Sequence, residues 1–112
     1  MNYLITSATD AITAASELLE DGPITTRLPV VWHDDADGFR VKVDDGDYWT
    51  VFVEAHRHDE LAVVTLETPS TVVSRSQVTC QSTDPRISGS VIAAIVRSYA
   101  DLAELLNEEV TT

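Results

Sequence analysis

GFRVKVDDGDYWTVFVEAHRHDELAVVTLET, residues 38–68, decides how this chain is read. Three runs rich in β-branched and aromatic residues are separated by two short polar connections, the pattern of consecutive antiparallel strands. In the first run, Phe39, Val41 and Val43 alternate with Arg40 and Lys42, as in a half-buried strand. The turn after it sets the register. A two-residue Asp45-Gly46 loop places those three residues with Tyr48, Thr50 and Phe52. A three-residue Asp44-Asp45-Gly46 loop with a bulge places them with Trp49, Val51 and Val53. The second choice gathers one strongly apolar face, so burial selects it. HRHDE then leads into a strand over Leu61 to Thr68, ended by Pro69. That strand is apolar on both sides, and its Val64 and Leu66 are assigned to the second face with Tyr48 and Phe52.

Working outward, a helix is expected from Ser7 to Asp21. Ala8, Ala11, Ile12, Ala15, Leu18 and Leu19 form its apolar stripe, and Gly22-Pro23 stops it. Leu28 to His33 reads as a strand confined by Pro29 to an edge or an end. A fifth strand is expected around Ser76 to Gln81, after a loop or bulged piece. The strongest helix runs to about Glu109, with Val91, Ile92, Ile95, Tyr99, Leu102, Ala103 and Leu106 as its stripe. It begins either at Asp84-Pro85 or at Ser88 to Ser90. The expected architecture is a single α+β domain over residues 1–112. It is a two-layer sandwich, with an antiparallel four- to five-stranded meander and both helices packed on one face.

Composition narrows the function. Nineteen acids against seven bases give a formal net charge of −12. Nucleic acid and anionic membranes both demand basic surface, so direct binding to either is not expected. No stretch reaches the ~20 apolar residues of a membrane span. The N-terminal segment is acidic where a signal peptide would be basic, so a cytoplasmic protein is expected. The lone Cys80 forms no internal disulfide and reads as a small buried apolar residue.

The motifs that carry chemistry are weak. His56 and His58 flank Arg57, and His33 stands before Asp34 and Asp35, but zinc wants three or four converging ligands. A polar turn explains the same histidines. DDADG and DDGD have acids near glycine without the spacing of a calcium loop. No nucleophile elbow, phosphate loop or dinucleotide fingerprint occurs. No metal, no cofactor and no catalytic residue is therefore assigned, and the chain is read as a non-enzyme.

What remains is surface. Asp34, Asp35 and Asp37 lie at one end of the second strand, and Asp44, Asp45 and Asp47 at the other, ~17 Å apart for a five-residue strand. These six acids, with Tyr48, Phe52, Val64 and Leu66, form the expected partner-binding set. The reading is a small acidic protein-binding module (adaptor, chaperone or inhibitor) with a basic protein partner, and a homodimer. The alternative is a nucleic-acid mimic that inhibits a DNA- or RNA-binding protein, in the manner of a phage anti-defence (anti-CRISPR or anti-restriction) protein.

Overall fold

The computed structural model describes residues 3–4, 7–20, 32–33, 38–43, 48–56, 60–80 and 84–111. It is an α+β protein. The elements in chain order are β1 (Tyr3–Leu4), α1 (Ser7–Glu20), β2 (Trp32–His33), β3 (Gly38–Lys42), β4 (Thr50–His56), β5 (Leu61–Thr68), β6 (Thr71–Thr79) and α2 (Pro85–Thr111). β1 and β2 pair with each other, and β3-β4-β5-β6 follow one another as an antiparallel meander. The β1–β2 pair was not read from the sequence, and Leu28 to Val31 lie outside the described residues.

Between β3 and β4, Val41 stands opposite Val53, and the Val43 N–H donates to the Val51 carbonyl at 2.8 Å. The faces therefore match as the apolar pattern requires. The register does not belong to a three-residue turn, however, because residues 44–50 lie between the paired Val43 and Val51. Between β4 and β5, His56 stands opposite Leu61. The connection is 57–60, not the five residues HRHDE. Glu60 takes a left-handed φ of 50°, a conformation that tight connections impose.

That single residue changes the face of a whole strand. Ala62, Val64 and Leu66 stand opposite Ala55, Val53 and Val51, and all six are buried in one core. The expected placement of Val64 and Leu66 on the outer face is thereby corrected; they are 0% and 1% exposed. β5 turns through Pro69-Ser70 into β6, which begins at Thr71, earlier than expected. A register shift between Leu66 and Glu67 marks a bulge in this pair.

The core is closed by the helices. Ala8, Ala11, Ile12, Ala15 and Leu19 of α1 and Ile92, Ala93, Val96, Ala100 and Ala103 of α2 pack with the Val51–Val64–Leu66 face. The two helices approach closely at Gly89. A Cβ there would lie 2.6 Å from the Ala14 Cβ, 2.8 Å from the Ala11 carbonyl oxygen and 2.9 Å from the Ala15 nitrogen. Only glycine fits that crossing. The Arg97 guanidinium donates to the Leu18 carbonyl, one of the acceptors that the end of α1 leaves without a helical partner.

α2 begins at Asp84-Pro85, the first of the two expected starts. The Asp84 carboxylate accepts the Arg86 N–H at 2.9 Å, and the Asp84 carbonyl accepts from Ile87 and Ser88. Ser88 is thus an interior helical residue, 2% exposed. Tyr99 ties α2 to β6: its hydroxyl lies 2.9 Å from the Ser74 Oγ and 2.8 Å from the Ser76 Oγ.

Candidate protein-binding surfaces

Three surfaces compete for a functional reading. The first is the sheet face away from the helices. The ladder puts Arg40 and Lys42, then Thr50, Phe52 and Glu54, then Val63, Thr65 and Glu67, then Arg75 and Gln77 on this side. Arg40 lies over the Phe52 ring, its guanidinium carbon 3.8 Å from the centroid, a cation–π contact. The same guanidinium reaches the Glu54 carboxylate at 3.3 Å and pairs with Glu67, which also accepts the Thr65 hydroxyl at 2.6 Å. Val63 and Thr65 are buried on this side. The face is a polar lattice that covers its own apolar residues, and Phe52 is only part-exposed.

Tyr48 is the second feature. It precedes β4, is 41% exposed, and meets Trp49 edge to face with centroids 6.1 Å apart. Its place is fixed from α2. The Asn107 carboxamide oxygen accepts the N–H groups of Tyr48 and Trp49 at 3.3 and 2.8 Å, and its amide nitrogen donates to the Trp49 carbonyl at 3.0 Å. One side chain imitates a neighbouring strand. Tyr48 therefore stands at the junction of β4 and α2, apart from Phe52. The other expected partner-binding residues, Asp34, Asp35, Asp37, Asp44, Asp45 and Asp47, lie outside the described residues.

Sequence reasoning missed the third surface. The core stripe expected for α2 includes Val91 and Leu102, yet they are 44% and 43% exposed. With Ile87 and Leu105, both 61% exposed, they line the outward side of the helix. Ile87 and Val91 also border a shallow depression shared with Asp84, Arg86 and Ser90. The eleven-residue step from Val91 to Leu102 is three helical turns and was available as a signal. Acids follow along the same helix: Asp101, Glu104, Glu108 and Glu109 are all exposed.

Titration adds little chemistry. The Arg86 guanidinium, and then its backbone N–H, hold the Asp84 carboxyl below the ordinary aspartate range. Burial pushes the Cys80 thiol up, against a backbone hydrogen bond from Ala62 and with a smaller push from the Glu60 charge. A buried thiol held protonated is a poor nucleophile. Among the described residues, no group of three or more His, Cys, Asp or Glu is placed to hold a metal ion. Nor is any helix among them long and apolar enough to cross a membrane.

No protein-family model matches the chain, and neither the curated proteins nor the solved structures contain a significant match.

Proposed function

We propose that this chain is a small, acidic, non-enzymatic protein-binding module acting in the cytoplasm, as an adaptor, chaperone or inhibitor. In this reading it is a two-layer α+β sandwich whose helices and sheet hold a carboxylate-rich surface toward a basic protein. The observation that carries the proposal is the charge: a net −12 on 112 residues, with Asp10 and Glu17 of α1 and Asp101, Glu104, Glu108 and Glu109 of α2 all exposed. Such a surface speeds encounter with a positive partner and repels nucleic acid. The closed lattice around Phe52 moves the emphasis away from the sheet face and onto the acidic rim.

The test is a pull-down from the source cell, followed by titration of the captured partner. Binding that weakens steeply with salt, and with Asp→Asn changes at Asp34, Asp35, Asp37, Asp44, Asp45 and Asp47, supports the reading. Salt-independent binding that ignores those six changes refutes it.

The second reading is a nucleic-acid mimic, and one arrangement favours it. Asp101, Glu104 and Glu108 run at i, i+3, i+7 spacing along one side of α2, ~4.5 and ~6 Å apart along the axis. A row of negative charge on a rigid rod is what a basic groove takes from a phosphate backbone. Competition decides it: a mimic is displaced from its partner by the nucleic acid that partner holds, and an adaptor is not.

A further inference from the structure

The outward side of α2 is one straight line. Ile87, Val91, Ala94, Ser98, Leu102 and Leu105 follow i, i+4, i+7, i+11, i+15 and i+18, which keeps them on one side at 3.6 residues per turn. All six are exposed. This is a second apolar stripe on a helix whose opposite side already fills the core.

The line reads nearly the same in both directions. Reversed about its midpoint near residue 96, Ile87 falls on Leu105, Val91 falls within one residue of Leu102, and Ala94 falls on Ser98. Large branched side chains stand at both ends and small ones at the centre. A surface of that kind is complementary to itself across a twofold axis, the requirement of an isologous dimer. The small centre lets two helix axes come close, and the outer residues interleave on either side.

Charge selects the direction. Arg86 lies on the same flank of the stripe as Asp101, Glu104 and Glu108. In an antiparallel pair, equal flanks face one another in reverse order. Arg86 of each copy then comes level with Glu104 and Glu108 of the other. A parallel pair would instead bring the acids at 101, 104, 108 and 109 of both copies to one level, on opposite flanks of the seam, and leave Arg86 far from them. Arg86 now pairs with its own Asp84 at 3.1 Å, on a side chain 87% exposed, and an exposed pair of that kind contributes little; Asp84 comes level with Glu108 of the other copy, so Arg86 would be shared among these carboxylates.

We propose that the chain forms an antiparallel homodimer through this face of α2. The dimer lays Arg86 across the acidic row, so it counts against the mimic reading and leaves the acids of α1 free for the partner-binding one.

The test is sedimentation of the purified full-length chain over a concentration series and at rising salt. A dimer is expected. It should tighten with salt, because two copies of net charge −12 repel, whereas binding to a basic partner weakens. Ile87→Glu and Leu105→Glu should each raise the dissociation constant by about tenfold or more, as replacing a buried apolar anchor of an interface by a charge does. Val72→Glu on β6, at a position 51% exposed, should change nothing. Arg86→Glu should weaken the dimer, and adding Glu104→Arg with Glu108→Arg should restore it. Spin labels on Ile87→Cys in a Cys80→Ser background read the direction: ~27 Å across an antiparallel pair, ~10 Å across a parallel one. A monomer at every concentration, or a dimer indifferent to Ile87→Glu and Leu105→Glu, overturns the proposal. The short label distance, or failure of the charge exchange, overturns its direction. No partner is present in these measurements, so their failure leaves the partner-binding reading standing.

Discussion

Replacing Gly89 by alanine tests the joint that holds the two helices together. In an exposed helix interior, Gly→Ala gains about 1 kcal/mol from reduced backbone freedom in the unfolded chain and better helix propensity. Here the added methyl would stand 2.6 Å from the Ala14 Cβ, and 2.8 and 2.9 Å from backbone atoms of Ala11 and Ala15. No rotamer change relieves those contacts, because two of them are to main chain. The helices must separate, and separation reaches Ala93 and the other small residues packed along the same seam. Overpacking of a tight core costs roughly 1–3 kcal/mol, and three contacts of this length argue for the upper end. Subtracting the propensity gain leaves a net loss of about 2 kcal/mol. For a domain of this length that lowers the midpoint by about 8 °C. Thermal unfolding by circular dichroism and urea titration with unchanged m-value would read it. Ala94→Gly, on the exposed side of the same helix, is the control and should cost only about 1 kcal/mol. Adding Ala14→Gly to Gly89→Ala should recover part of the loss, since it removes the methyl–methyl contact and leaves the two backbone ones. A Gly89→Ala protein as stable as the parent would refute the close crossing of α1 and α2.

Tyr99→Phe removes the hydroxyl that joins Ser74 and Ser76 to α2 and should cost about 1 kcal/mol; an unchanged urea midpoint would show that solvent replaces the bond without loss. Asp84→Asn should destabilise the protein only where Asp84 is ionised. Its folded-state carboxyl titrates below the ordinary range, so its contribution is present above the ordinary aspartate value of about 3.9 and is lost as pH falls through the lower folded value. Parent and variant melts should therefore converge on acidification, and a gap independent of pH would contradict the pairing. The Cys80 thiol is shifted the other way. Its contribution is present below the ordinary thiol value and is lost as pH rises through the raised one, so stability should fall on the alkaline side and Cys80→Ala should flatten that fall. At neutral pH the thiol should react with a disulfide reagent only as fast as the protein opens, and labelling as rapid as that of a free thiol would contradict its burial.

Much of the local structure could be read from residues because local chemistry determines it. β5 occupies the expected Leu61 to Thr68, where a β-branched run ends at Pro69. α1 starts at Ser7 and buries five of the six expected stripe residues, leaving Leu18 38% exposed. The faces of β3 and β4 match because apolar alternation on both strands permits one parity only. What local chemistry leaves open is the length of a polar connection. Nothing in HRHDE says whether His56 closes the strand or opens the loop, and β5, apolar on both sides, accepts either answer. The core selects the four-residue connection by gathering Ala62, Val64 and Leu66 against the helices. Val63 and Thr65 then fall under the polar lattice on the other side.

α2 buries Ile92 and Val96 as expected but leaves other large apolar residues outward beside buried small ones, and that mixture hid its outward stripe. Val91 stands beside Ile92, and Leu102 beside Ala103; in each pair a 100° rotation decides which residue is buried. The expected stripe puts both members of each pair inside. At Gly89 α1 approaches too closely for any side chain, and Ala103 rather than Leu102 joins the core further along. Gly89, Ala93, Ala100 and Ala103 are buried, while Ile87, Leu102 and Leu105 are outside. Single exposed apolar residues are ordinary, but four large ones aligned on the solvent side of one helix form a patch. The packing that demands small residues within thus makes the outer line stand out as a surface kept for another chain. Its near-symmetry about residue 96 is the feature on which the proposed pairing with a second copy of this protein rests.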